Sequence, residues 1–84
     1  MLKSYIDEIC AAVNGRLLQS CDTAITAVTT DSRKVGEGQL FIPLVGERFD
    51  GHNYIDSALE SGAAACLTAH RPEKLLPGKG YILV

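Results

Sequence analysis

Hydroxyls, one carboxylate and two cations crowd into Thr29-Thr30-Asp31-Ser32-Arg33-Lys34, directly after a short apolar alternation and before a turn carrying Gly36 and Gly38. This is the composition of a ligand-facing loop. Ser32 offers a hydroxyl that both donates and accepts, which suits the imide and carbonyl edge of a pyrimidine, while Arg33, Lys34 and Arg48 can meet phosphate charge. The same residues also make a self-contained turn, in which Asp31 and Ser32 bond their own backbone and Arg33 pairs with a nearby acid. On the residues alone the turn stands ahead, because short Asp-Ser turns are common. A second polar segment, Gly46-Glu47-Arg48-Phe49-Asp50-Gly51-His52, follows the next apolar strand, so two sequence-distant loops are expected to meet at one edge of a small sheet. Within it, Asp50 is expected to cap the following helix and Gly51 to permit a tight approach of backbone. His52 reads as solvated or locally bonded rather than catalytic. No third group completes a nucleophile, base and orienter set, so neither a catalytic residue nor a metal site is expected.

The elements that must hold these loops are written in the apolar spacing. Ile6, Ile9, Cys10 and Val13 recur at helical intervals, predicting a helix over 5–13 capped by Ser4 and stopped by Gly15 in a left-handed conformation. Residues 16–20 read as extended and 21–24 as a turn. Residues 25–29, rich in β-branched side chains, read as a strand feeding the first polar loop. A mostly buried strand is expected over 39–45, with Pro43 placing it at an edge or a strand end. Tyr54, Ile55, Ala58 and Leu59 then mark a helix that Asp50 or Asn53 caps and Gly62 ends. The small residues of 63–68 read as a buried strand against which that helix packs, which makes a parallel strand-helix-strand crossover the default. Residues 70–80, with Pro72, Pro77, Gly78 and Gly80, read as a surface connection with one helical turn near 73–76, leading to a last strand over 81–84. The fold class is therefore α/β: a small sheet with a parallel strand-helix-strand unit and flanking helices.

Composition narrows the function further. Eighty-four residues, 46% of them apolar, make one domain with a modest core rather than a multi-domain enzyme. The formal net charge is −2 and the eight Lys and Arg residues are scattered, so no polybasic footprint for nucleic acid or anionic lipid exists. The apolar runs fall far short of the ~20 residues that cross a bilayer, and no signal peptide is visible, which points to a soluble segment. Cys10, Cys21 and Cys66 lack Cys-x-x-Cys or metal-ligand spacing and read as structural thiols of a reducing compartment. The final Tyr81-Ile82-Leu83-Val84 is an apolar strand without a polar tail, from which the chain is expected to be an amino-terminal domain excised from a longer protein.

The run Ala27-Val28-Thr29-Thr30-Asp31-Ser32-Arg33-Lys34, followed by Gly38-Gln39-Leu40-Phe41-Ile42-Pro43-Leu44-Val45-Gly46-Glu47-Arg48-Phe49-Asp50-Gly51-His52, resembles the uridine-nucleotide-binding N-terminal domain of the Mur ligases. These enzymes build the peptide of bacterial cell-wall precursors. The spacing holds through Ala58 and Gly62-Ala63-Ala64-Ala65, so the resemblance covers nearly the whole chain. Asp-Ser-Arg and Asp-Gly-His are shared with the type that adds the third residue, the MurE type. Glu47-Arg48-Phe49 before Asp50 tips the likeness toward the type that adds D-alanyl-D-alanine to UDP-N-acetylmuramoyl-tripeptide, the MurF type. The resemblance implies that residues 1–84 are a UDP-precursor-binding domain in which Thr30, Ser32, Glu47, Arg48 and Phe49 surround uracil and ribose. Asp31, Arg33, Asp50 and Gly51 would support the loops. It further implies a cytoplasmic parent whose central domain binds ATP and Mg2+, whose third domain closes over the incoming dipeptide, and whose first 84 residues alone are inactive. A non-catalytic interaction module of the same fold is the reading of a different class.

Overall fold

The computed structural model describes residues 5–46 and 49–84. The expected Ser4 cap lies outside them. The first helix, α1 (Ile6–Ala12), buries Ile6 and Cys10, and Glu8 reaches back to accept from the Tyr5 amide at 3.5 Å. The left-handed residue at its end is Asn14, with φ 54°, and not Gly15. Asn tolerates that region because its short polar side chain bonds locally. Gly15 serves space instead: a Cβ there would stand 2.6 Å from the Ile82 Cγ2.

Among the described residues seven strands follow: β1 (Arg16–Gln19), β2 (Ala27–Thr29), β3 (Gln39–Phe41), β4 (Val45–Gly46), β5 (Phe49–Asp50), β6 (Ala65–Thr68) and β7 (Gly80–Leu83). A 3₁₀ helix (Gly51–Tyr54) and α2 (Ile55–Glu60) separate β5 from β6. The main sheet has the order β1-β7-β6-β3-β2, with β4 and β5 forming a separate antiparallel hairpin. β2, β3, β6 and β7 run parallel to one another, and β1 lies antiparallel on β7. The expected parallel strand-helix-strand unit is therefore β3-α2-β6.

Strict alternation distributes the strand residues between two cores. Leu40, Ala65 and Ile82 point to the α1 side, joining Ile6, Cys10, Cys21 and Ile25. Their neighbours Phe41, Cys66 and Tyr81 point to the α2 side, joining Ile55, Ala58, Leu59 and Ala63. A sheet covered on both faces explains why β6 reads as continuously apolar. Cys10, Cys21 and Cys66 are all free and buried, and burial, with Asp56 adding to it, pushes the Cys66 thiol up to about 12. These are inert structural thiols.

Three further expectations are corrected. The strand over 39–45 stops at Phe41, and after Pro43, which has no amide to donate, residues 45 and 46 turn into the hairpin. The stretch 73–76 forms no helical turn. It is held instead by side chains: Gln19 Nε2 donates to the Leu76 carbonyl at 2.7 Å and the Lys79 carbonyl at 2.6 Å, and the Leu76 amide donates to Tyr81 Oη at 2.9 Å. The strand over 63–68 begins only at Ala65. Before it, Gly62 at φ 129° ends α2 as its position implied.

Candidate functional site

At the carboxyl ends of β2 and β3 lies an open cleft of about 760 Å³. That is where ligands sit in open α/β sheets. One wall is the first polar loop, residues 30–33. Phe41 and Leu44 supply apolar surface, and the opposite wall is Tyr54, Ser57 and Ser61 from the 3₁₀ helix and α2.

The loop divides its labour between shape and exposure. The Asp31 amide donates to Thr29 Oγ1 at 3.2 Å, and the Arg33 amide donates to Asp31 Oδ1 at 2.9 Å. The Arg33 guanidinium closes over the same carboxylate through Nε at 3.2 Å and Nη2 at 3.4 Å. That side-chain bond, followed by the backbone one, holds the Asp31 carboxyl below its ordinary range. Arg33 is 87% exposed on its side chain, so the pair adds little stability and its effect is to shape the turn. Asp31 and Arg33 thus make the self-bonded turn, and the Ser32 side chain takes no part in it. Neither Thr30 nor Ser32 has a side-chain hydrogen bond among the described residues, and both line the cleft.

Of the second polar segment, Glu47 and Arg48 lie outside the described residues, and Phe49 is placed by its backbone alone, opposite Gly46 in the hairpin. The flanks of the segment, Leu44 and Tyr54, share the cleft with the first loop. Asp50 stands at the N-cap of the 3₁₀ helix and accepts from the His52 amide at 2.9 Å. Gly51 is buried, with its amide donating to the Leu44 carbonyl at 2.6 Å.

His52 is locally bonded. Its Nε2 accepts from the Ala69 amide at 3.0 Å, and since an amide only donates, that nitrogen carries no proton. The proton sits on Nδ1, which donates to Asp50 Oδ1 at 2.6 Å, while the His70 ring stacks on the other side at 4.8 Å. His52 therefore pins the 3₁₀ helix to the end of β6 and lines a second cavity of about 250 Å³ rather than the cleft. No group of three or more metal-ligating side chains occurs among the described residues.

The backbone bond from His52, then its side chain, depresses the Asp50 pKa below the ordinary 3.8. A carboxylate with a lowered folded pKa contributes stability that is complete above the unfolded value and lost as pH falls through the folded one. Unfolding midpoints followed from neutral to strongly acidic pH are expected to decline below about pH 4. In Asp50→Asn that decline should be shallower, and an unchanged acid limb would remove Asp50 from the cap.

Sequence reasoning missed the helical wall. Tyr54, Ser57 and Ser61 fall at i, i+3 and i+7, a flank adjoining the buried face of Ile55, Ala58 and Leu59, and this spacing was the available signal, although the apolar spacing groups Tyr54 with the buried face.

The chain is similar to ligases of two kinds. UDP-N-acetylmuramoyl-tripeptide--D-alanyl-D-alanine ligase of Bacillus subtilis is 48% identical over 69 residues, covering 80% of this chain and 15% of the relative. UDP-N-acetylmuramoyl-L-alanyl-D-glutamate--2,6-diaminopimelate ligase of Parasynechococcus marenigrum is 50% identical over 56 residues, covering 67% and 11%. The chain thus spans less than a fifth of the length of these relatives. Among solved structures, a UDP-N-acetylmuramoylalanyl-D-glutamyl-2,6-diaminopimelate--D-alanyl-D-alanyl ligase from Acinetobacter baumannii shares the fold over 100% of this chain and 19% of its own, at TM-score 0.84 and 24% identity. A MurF ligase from Thermotoga maritima, solved in complex with ADP, matches 69% of this chain and 13% of its own, at TM-score 0.57 and 36% identity. The family model described as "Mur ligase family, catalytic domain" matches residues 24–77, which take in both walls of the cleft, and the chain belongs to the Mur ligase family.

Proposed function

We propose that this chain is the segment of a MurF-type ligase that holds the uridine end of UDP-N-acetylmuramoyl-tripeptide while D-alanyl-D-alanine is added to the distant peptide. The observation that carries the reading is the pair of cleft-lining hydroxyls, Thr30 and Ser32, left unbonded by a turn whose shape Asp31 and Arg33 maintain. Uracil needs donors and acceptors beside flat apolar surface, and hydroxyls next to Leu44 and Tyr54 offer both. Glu47, Arg48 and Phe49 belong to the same proposed site by motif.

The chemistry is assigned to the remainder of a longer, cytoplasmic chain. No Gly-x-x-x-x-Gly-Lys-Ser/Thr loop occurs in these residues, and ATP and Mg2+ are assigned to the rest of that longer chain. What this segment contributes is remote binding energy that orients the reacting carboxylate. The diaminopimelate-adding type is the second reading, favoured by the 50% identity to such an enzyme.

Titration of uridine monophosphate into the chain, followed by amide NMR, is expected to shift residues 30–33 first. Ser32→Ala should weaken binding about two- to tenfold, the loss of one neutral hydrogen bond. Absence of shifts in this loop would return it to a purely structural turn.

A further inference from the structure

The wall of the cleft made by α2 carries chemistry that its sequence position hides. Ser57 and Ser61 are exposed, line the cleft, and make no side-chain hydrogen bond among the described residues. At i and i+4 their Cβ atoms lie about 5–6 Å apart on one helix face. Two hydroxyls at that spacing can each bond one oxygen of a vicinal diol placed between them, since hydroxyls on both partners donate and accept. A phosphate is poorly matched to this wall. Among the described residues, the cation in the cleft lining, Arg33, sits across on the loop and is already closed on Asp31. The helix wall presents, among the described residues, hydroxyls and the Tyr54 phenol.

We propose that Ser57 and Ser61 bind the ribose diol of the nucleotide and make this cleft selective for ribo- over deoxyribonucleotides. The proposal rests on the uridine-binding reading above and adds to it the residues that read the sugar.

The test compares uridine monophosphate with its 2'-deoxy and 3'-deoxy analogues on the wild-type chain, on Ser57→Ala, on Ser61→Ala and on the double variant. Alanine is the best helix former, so neither substitution should unfold α2. Wild type is expected to bind each deoxy analogue about two- to tenfold more weakly, and the double variant to bind all three alike. Ser32→Ala should weaken all three ligands and keep the preference for ribose. If uridine monophosphate binds but the wild type shows no preference, or the double variant retains it, the serine assignment is wrong while the uridine reading stands. If none of the three nucleotides shifts the cleft residues, the uridine reading fails and this proposal with it.

Discussion

Tyr81→Ala is expected to cost about 3–5 kcal/mol of folding stability, a large part of what a domain this size possesses. Tyr81 is fully buried in the α2-side core with Phe41, Leu59 and Cys66. Truncation would leave a ring-sized void and would also orphan the Leu76 amide that its hydroxyl accepts. Tyr81→Phe separates the two effects, because it keeps the packing and removes only the acceptor, for an expected loss of about 1–3 kcal/mol. Urea denaturation of both variants gives the comparison. Equal losses would mean that the hydroxyl dominates, and an unchanged Tyr81→Phe would mean that the Leu76 amide finds another partner.

Gly51→Val is expected to be similarly damaging for a different reason, and it should reach the ligand. A Cβ on Gly51 would stand 2.6 Å from the Leu44 nitrogen, 2.8 Å from the Leu44 oxygen and 2.8 Å from the Pro43 Cα. All three are backbone atoms, which cannot step aside as a side chain can, so a branched residue must push the 3₁₀ helix away from the end of β3. Overpacking of this kind costs about 1–3 kcal/mol and occasionally more. Leu44 and Tyr54, on either side of the displaced segment, line the cleft, so uridine nucleotide affinity should fall with stability. Gly78→Ala is the control. It meets nothing within 4 Å, and its cost is only that of a left-handed backbone at φ 76°, about 1–2 kcal/mol, with binding unchanged. Paired denaturation and nucleotide titration would decide it: Gly51→Val with normal affinity would show that the close approach at Leu44 does not shape the cleft.

Much of this architecture was legible because local chemistry and global fold agree. The 3.6-residue spacing of Ile6, Ile9 and Cys10 produced α1, and Gly62 ended α2 through a backbone conformation that other residues avoid. The Asp31 turn was legible too, since Asp and Arg two residues apart bond each other with little help from the rest of the chain. What escaped was long-range or too short to show a period. The hairpin of β4 and β5 has two residues in each strand, which is less than one full alternation. The helical turn expected near 73–76 gave way to bonds from Gln19 and Tyr81, partners that local propensity does not reveal. Ser57 and Ser61 resemble any solvent-facing pair until the loop opposite them is in place.

The antiparallel pairing of β1 with β7 bears on how the chain acquires its structure during synthesis. Arg16 takes Leu83 as its partner, and Leu17 takes Ile82, so a strand made early by the ribosome has its only sheet neighbour among the last residues of the described chain. β7 is also the strand that joins β1 to the parallel strands, and no sheet order containing β1 exists before it emerges. Ends that meet across nearly the whole chain carry a high loop-closure cost and slow the search. The α1 residues Ile6 and Cys10 have core partners in Cys21, Ile25 and Leu40 well before that point, whereas β1 gains its place in the sheet only when β7 is present.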